Sequence, residues 1–187
     1  MQDILYPISW FLVRIFALVM LRFQIQRHGK LPSGPVIYVA NHPCATDAFL
    51  IHLLARKPLS VLITAKAFTV PVLGWFLHKM NEIPVPLEQG SLALDHALQH
   101  LKNGRSVVIF IEGHVSPPEG GFLPPRSGAA ILALSSTAPV VPVGISLIRS
   151  RCMTLRSRIT GGIESEALFR DTARRDCLWI DGEQLRF

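Results

Sequence analysis

A histidine and an aspartate five positions apart, His42 and Asp47, are the residues of this chain best suited to acid and base chemistry. An aspartate that binds one imidazole nitrogen fixes the tautomer, and the other nitrogen can then accept a proton from a hydroxyl group. Side chains five apart on one helix point away from each other, so the two can meet only if His42 lies on a turn before the helix. The pair therefore predicts a general base held by a carboxylate.

The flanking residues supply the elements that such a pair requires. Residues 36–40 form a short apolar run, rich in β-branched residues, that is typical of a strand buried on both faces. Thr46 is a suitable N-cap for a helix running to about Ala55, and Asp47 would lie in its first turn, where the macrodipole favours a carboxylate. His42 would then follow the carboxyl end of a buried strand, the edge at which open α/β sheets bind ligands.

The rest of the chain alternates between strand and helix patterns. Further strands are predicted at 24–28, 59–64, 81–85, 106–111, 140–148 and 154–159, and helices at 68–78, 90–102, 127–136 and 164–175. This alternation predicts an α/β fold with a mixed central sheet flanked by helices. The Pro/Gly-rich segment 114–125 is long for a connection and is a candidate substrate lid.

Composition limits the classes of partner. The chain has 187 residues, enough for one domain with a real core, and it is 49% hydrophobic and 17% charged. A formal charge of +6 fits an anionic partner, either a membrane or a nucleic acid. The three cysteines, Cys44, Cys152 and Cys177, are odd in number and widely spaced, so they indicate a reducing cytosol rather than a disulfide framework or a zinc site.

The amino-terminal segment 4–23 is almost entirely apolar, but Pro7 and Arg14 interrupt it. A central arginine costs about 2.5 to 3.5 kcal/mol on insertion scales, so we predict a helix that lies on a membrane. A full span, a buried core helix and a signal peptide are the alternatives. We therefore divide the chain into a membrane-associated helix with its lead-in, 1–28, and a main domain, 29–187, on the cytoplasmic face of the inner membrane. The stretch 68–78 is either a second membrane contact or a core helix.

Four blocks of the chain, in the right order between about residues 30 and 146, resemble the motifs of the glycerophospholipid acyltransferase family. The first reads Asn-His-Pro-Cys-Ala-Thr-Asp at 41–47 and is similar to the active-site motif Asn-His-x-x-x-x-Asp. The other three blocks lie at 65–86, 110–130 and 141–145. The four blocks are specific together, and singly only the first and third are.

The resemblance implies an acyltransferase-like sandwich that moves a fatty acyl group from a coenzyme A or acyl-carrier-protein thioester to a lipid hydroxyl. His42 would be the general base and Asp47 its orienter, and no acyl-enzyme is needed. The candidate substrate-binding residues are Asn41, Lys66, Glu112, Gly113 and Arg126. The expected partners are membrane lipids and the acyl donor as co-substrate, with no nucleic acid, no metal and no further cofactor.

Two departures from the family pattern concern the acceptor. Family members that take phosphate-bearing acceptors usually carry an arginine where this chain has 83–86, and Thr-Arg where it has His114 and Val115. Arginine binds phosphate as a planar fork, and Lys66 or Arg126 could supply a positive charge from nearby in its place. The leading expectation is a lysophospholipid acceptor in glycerophospholipid synthesis. The runner-up is a lipid without phosphate, such as an amino-acid lipid or a glycolipid.

Other readings of these residues are open. Cys44 could act as a nucleophile beside His42, as in a thiol hydrolase. A metal site could draw on four side chains, His42, Asp47, Glu112 and His114. The arginines between 149 and 158 could contact nucleic acid, although interleaved aromatic residues are missing. Finally, the chain could be a silent family member that only binds lipid or a partner protein.

Overall fold

Seven strands of the described chain form one sheet. The structure, a computed structural model, describes residues 2–20, 24–28, 30–55, 57–117, 121–149 and 174–181. The strands are β1 (Gln24–His28), β2 (Ile37–Ala40), β3 (Leu59–Thr64), β4 (Ile83–Val85), β5 (Ser106–Phe110), β6 (Val140–Arg149) and β7 (Arg174–Asp181). Their order across the sheet is β1-β7-β6-β2-β5-β3-β4.

The sheet is mixed, as the sequence predicted. The five strands from β6 to β4 run parallel to one another. Strand β7 is antiparallel to β6 and parallel to β1. Because parallel strands end at the same edge, the carboxyl ends of β2, β3 and β5 lie side by side, where α/β proteins bind ligands.

Helices cover both faces of this sheet, which confirms the predicted α/β class. They are α1 (Gln2–Met20), α2 (Asp47–Leu50), α3 (Ala65–Phe68), α4 (Leu73–Lys79), α5 (Gly90–Lys102) and α6 (Gly128–Leu134). On one face, Tyr38 of β2 shares a core with Ile51, and on the other, Ile37 shares a core with Leu132 of α6. Successive strand residues point to opposite faces, so a strand covered on both sides must be apolar throughout.

The helix after the His42 turn is shorter than predicted. It was expected to continue to about Ala55, but α2 ends at Leu50, and a 3₁₀ turn, Ile51–Leu54, follows it. Thr46 holds the predicted N-cap position without a side-chain cap bond. Its hydroxyl instead donates to Cys44 Sγ at 3.2 Å, so the helix start is held by other contacts.

The apolar stretch 68–78 is divided between two helices, with a turn at 69–72 separating α3 from α4. Leu77 is buried, with 2% of its surface exposed, whereas Val72 and Trp75 are 81% and 59% exposed. One side of α4 is therefore packed in the core, as one alternative predicted. The turn and the other side of α4 are exposed, and a membrane contact there stays a prediction.

A glycine in α4 marks where the two short helices touch. A Cβ atom at Gly74 would lie 2.0 Å from the carbonyl oxygen of Phe68, and this main-chain atom cannot swing aside. We expect Gly74→Ala to lower the free energy of unfolding by about 1 to 3 kcal/mol, measured by denaturant titration. The matched control is Gly90→Ala in α5, where nothing lies within 4 Å of the added atom. An equal loss in both variants would contradict the close packing.

The helix at the amino terminus has one packed side and one exposed apolar side. Trp10 and Val13 pack against Leu50 and Leu53. The large apolar residues exposed on α1 are Ile8, Phe11, Leu12, Ile15 and Phe16. No helix in the described ranges is both long enough and apolar enough to cross a bilayer. The association of α1 with a membrane stays a prediction.

The end of the chain departs from the predicted secondary structure. The last helix was expected to end at Arg175, but Arg174 and Arg175 begin β7, which pairs with both β6 and β1. This pairing is long-range, so local polarity in the sequence does not reveal it. The rest of that helix, 164–173, and the strand predicted at 154–159 lie outside the described residues.

Candidate active site

Strand β2 leaves the sheet at Asn41, and the side chain of Asn41 holds the exit. Its Nδ2 donates to the carbonyl oxygen of Ile145 at 2.8 Å, and its Oδ1 accepts from the Ile145 N–H at 2.7 Å. The side-chain amide thus replaces a peptide group and extends the pairing with β6 by one step. Asn41, predicted to bind substrate, has its amide engaged in positioning the turn that carries His42.

On the other side of the turn, the side chain of Glu112 holds the main chain at His42. Glu112 is 2% exposed. Its carboxylate accepts hydrogen bonds from the His42 N–H at 3.2 Å, the Ser116 hydroxyl at 2.9 Å and the Leu123 N–H at 2.8 Å. The Ser116 N–H also donates to the His42 carbonyl oxygen at 2.8 Å. Glu112 therefore ties the turn of His42 to both ends of the loop that was predicted to be a lid.

The hydrogen bonds decide the ionisation of Glu112. Burial alone would raise the pKa of this carboxyl group, but the N–H groups of Leu123 and His42, the Ser116 hydroxyl and the charge of His42 together hold the pKa below its usual value of 4.5. A lowered folded-state pKa means that the ionised group stabilises the fold above the unfolded-state pKa. This contribution is lost as the pH falls through the folded-state pKa.

We therefore expect the free energy of unfolding of Glu112→Gln to depend less on pH, in the acidic range, than that of the wild type. The free energy of unfolding should be lower than in the wild type by about 1 to 3 kcal/mol near pH 7, because the amide satisfies fewer of the donors. The difference should shrink as the pH falls below about 4.5. Urea titrations across this range measure it, with the exposed Glu88→Gln as control. A constant difference at every pH would contradict the assignment.

The imidazole of His42 has two contacts, one at its Nδ1 atom and one on the face of its ring. Nδ1 lies 3.3 Å from Oδ2 of Asp47, and the two side chains are 15% and 0% exposed. The same Oδ2 accepts the Cys44 N–H at 2.6 Å, which fixes the carboxylate. The ring stacks on Phe110 with centroids 3.9 Å apart and planes 14° apart. With Nδ1 turned to Asp47, Nε2 is the nitrogen that can accept a proton.

Arg126 is brought to the same edge by main-chain contacts. Its N–H donates to the Ile111 carbonyl oxygen at 2.9 Å, and its side chain lies over Gly113, which has a φ of 69°. A Cβ at Gly113 would come within 2.7 Å of Arg126 Cδ, so only glycine leaves room for the arginine. Arg126 Nη2 donates to His114 Nε2 at 2.7 Å, because a guanidinium can only donate. Both side chains are exposed.

The sequence also suggested roles for Lys66 and Cys44, and a metal site. Lys66 follows β3 at the same edge of the sheet and is exposed, and its ammonium group has no hydrogen bond or ion pair with the described residues. Cys44 is buried, and a buried thiol is a poor nucleophile. Within the described ranges, no group of three or more His, Cys, Asp or Glu side chains is placed to hold a metal ion.

No sequence pattern indicated a second buried histidine–carboxylate contact, which joins His52 and Glu82. His52 Nε2 lies 2.8 Å from Oε1 of Glu82, and His52 Nδ1 donates to the Ala48 carbonyl oxygen at 3.1 Å. Glu82 also accepts the N–H of Val61 in β3. These bonds tie the helix of Asp47 to the sheet, so they position the carboxylate that faces His42. Phe110 and Ser116 were likewise missed, because nothing local distinguishes them.

Known proteins that resemble this chain are acyltransferases. A lyso-ornithine lipid O-acyltransferase of Pseudomonas aeruginosa is 32% identical over 143 residues, 75% of this chain and 53% of that protein. The human 1-acyl-sn-glycerol-3-phosphate acyltransferase beta is 26% identical over 161 residues, 83% of this chain and 57% of that protein. The chain thus spans just over half the length of each of these relatives.

The fold also matches a solved structure. The 1-acyl-sn-glycerophosphate (LPA) acyltransferase PlsC from Thermotoga maritima superposes with a TM-score of 0.67 at 22% identity, over 96% of this chain and 68% of that chain. In addition, the family model described as Acyltransferase matches residues 22–146. This match covers more than half of the chain and includes every predicted site residue, and the chain therefore belongs to the acyltransferase family.

Proposed function

We propose that this chain transfers a fatty acyl group from a thioester to a hydroxyl group of a membrane lipid, with His42 as the general base. The observation that carries the proposal is the 3.3 Å contact between His42 Nδ1 and the buried carboxylate of Asp47 at the ligand-binding edge of the sheet. Activation of a hydroxyl requires such an imidazole, whose Nδ1 faces a carboxylate and whose Nε2 has no hydrogen bond with the described residues.

In the proposed reaction the acceptor hydroxyl gives its proton to Nε2 of His42 as its oxygen attacks the thioester carbonyl carbon. The tetrahedral oxyanion then collapses and expels the thiolate. The thiolate takes the proton from the imidazolium, so the enzyme returns to its starting state. Asp47 stabilises the imidazolium between the two steps. Cys44 takes no part, and no acyl-enzyme forms.

The proposed donor is acyl-coenzyme A or acyl-carrier protein, and the proposed location is the cytoplasmic face of the inner membrane. Both donors are anionic, which agrees with the formal charge of +6. The exposed apolar side of α1 gives the chain a surface suited to lying on a bilayer. This arrangement would bring the sheet edge close to lipid substrates.

The first proposed acceptor is a lysophospholipid, as the name of the human relative suggests. A second candidate, an amino-acid lipid such as a lyso-ornithine lipid, is favoured by a specific observation. The chain lacks the two arginines usual for phosphate-bearing acceptors, and its Pseudomonas relative carries that name. Arg126 suits either one, since its fork binds a phosphate or a carboxylate. Thiol release from acyl-coenzyme A with lysophosphatidic acid or lyso-ornithine lipid tests both, and release with neither would exclude both.

Arg126 should act on acceptor binding rather than on the chemical step. We expect Arg126→Ala to raise the KM for the acceptor about tenfold with little change in kcat, because one charge-assisted bidentate contact is lost. Arg126→Lys should recover only part of this loss, since lysine lacks the planar fork. The exposed Lys102→Ala in α5 is the control for loss of a positive charge. A fall in kcat at constant KM would contradict a head-group role.

A further inference from the structure

Between β3 and β4 the chain forms a helical hairpin, residues 65–81, made of α3, a turn and α4. We call it the apolar hairpin. It leaves the sheet at the carboxyl end of β3, the edge at which His42 lies. Three large apolar side chains of its turn and of the first turn of α4 face solvent, namely Val70 (47% exposed), Val72 (81%) and Trp75 (59%).

These side chains are held outward by a tightly bonded turn. The Leu73 N–H donates to the Pro71 carbonyl oxygen at 2.6 Å, and the Gly74 N–H donates to that of Val70 at 2.7 Å. Val72 has a φ of 64°, a conformation that is strained for a β-branched residue. Local strain of this kind persists where the surrounding structure enforces it, often at functional sites. The apolar exposure is therefore a feature of the folded hairpin.

The charges of the apolar hairpin lie away from its tip. Residues 65–81 contain Lys66 near the start, Lys79 at the end, and no aspartate or glutamate. The basic residues thus stand at the base of the hairpin, and the apolar residues stand at its turn. Apolar residues at the tip suit the interior of a bilayer, and positively charged residues at the other end of the hairpin suit anionic head groups.

The hairpin also packs against the buried side of α1. Ser9 Oγ donates to Met80 Sδ, directly after α4, at 3.1 Å. Trp10 and Val13 line one pocket together with Phe76. The exposed apolar residues of α1 and those of the hairpin therefore belong to elements that are in contact with each other.

We propose that the tip of the apolar hairpin, formed by Val70, Val72 and Trp75, inserts into the surface of a bilayer that contains anionic lipid. Insertion there turns the edge with His42 toward the lipid. The proposal rests on the proposed function in taking the acceptor to be a membrane lipid. Its test measures binding without acyl donor or acceptor, so a failure of catalysis and a failure of docking are distinguishable.

The test uses the full chain and the variant Val72→Asp. Aspartate tolerates a positive φ better than valine does, so the melting temperature should be unchanged or higher. Leu134→Asp is the matched control, because Leu134 is also 81% exposed. It ends α6, which leads to the amino end of β6, whereas the hairpin leaves the sheet at the carboxyl ends of the parallel strands. Val72→Gly, which also relieves the strain, provides a second tip variant if the aspartate variant fails to fold.

Binding is measured by co-sedimentation with vesicles of phosphatidylcholine, with and without phosphatidylglycerol. We expect the wild type to prefer the anionic vesicles, and Val72→Asp to bind them about tenfold more weakly. Leu134→Asp should bind as the wild type does. Brominated lipids should quench wild-type fluorescence more than that of Trp75→Phe, because Trp75 reaches the acyl chains.

Equal binding of Val72→Asp and the wild type would overturn the proposal, as would a lack of preference for anionic vesicles. Gel filtration and titration with acyl-carrier protein distinguish other occupants of the tip. If Val72→Asp abolished a dimer or weakened carrier-protein binding but left vesicle binding intact, the surface would belong to a protein partner and the proposal would be wrong.

Discussion

Replacing His42 with alanine is expected to lower the rate of acyl transfer about 10³-fold, in the middle of the range for loss of a general base. The acceptor hydroxyl would then have to attack without losing its proton to Nε2. The imidazole is only 15% exposed and stacks on Phe110, so its removal should also cost some stability, and the melting curve of the variant shows whether it remains folded. Initial rates of acylated lipid formation measure the effect.

The control for this variant is His96→Ala, which removes an exposed histidine from α5. It should keep wild-type activity, and both variants should melt cooperatively. If His42→Ala retained more than about a tenth of the wild-type rate, the chemical step would not depend on a general base at this position.

Asp47→Asn should lower the rate about 10²-fold with little change in structure. An asparagine can place its carbonyl oxygen where Oδ2 now accepts the Cys44 N–H. Its NH₂ group would occupy the place of Oδ1, which is buried without a hydrogen-bond partner among the described residues. The substitution then removes mainly the negative charge that stabilises the imidazolium of His42.

Rates at saturating donor and acceptor measure this effect, because the loss should appear in kcat rather than in KM. Asp95→Asn, a change of the same kind on α5, is the control. An unchanged kcat in Asp47→Asn would show that the carboxylate does not assist the base.

The sequence predicted those elements and contacts that show as a pattern of neighbouring residues. The apolar run 36–40 contains β2, and the spacing of leucines and alanines predicted α5 with the bounds that the structure has, Gly90–Lys102. The meeting of His42 with Asp47 was also predictable, because only the six residues 41–46 separate the end of β2 from Asp47 at the start of α2. For α5 and for the His42–Asp47 contact, the determining contacts lie within a few residues of each other.

Contacts between distant residues were not predictable in the same way. The pairing of Asn41 with Ile145 joins residues 104 positions apart, and the one between the His42 N–H and Glu112 joins residues 70 apart. Strand β7 owes its form to pairing with β6 and β1. Such partners follow from the strand order of the sheet, which one sequence does not specify. The sequence could therefore suggest Asn41 and Glu112 as site residues without revealing that they hold the turn.

The most direct test is to incubate the wild-type chain with a labelled acyl donor and a panel of lysolipids, and to ask where the label goes. Acyl-coenzyme A and acyl-carrier protein are tried in turn, and mass spectrometry of the protein is run beside extraction of the lipids. We expect label on at least one lysolipid with the wild type, none above background with His42→Ala, and no acyl group on the protein. Label retained on Cys44, or no lipid labelled above the background of His42→Ala, would contradict it.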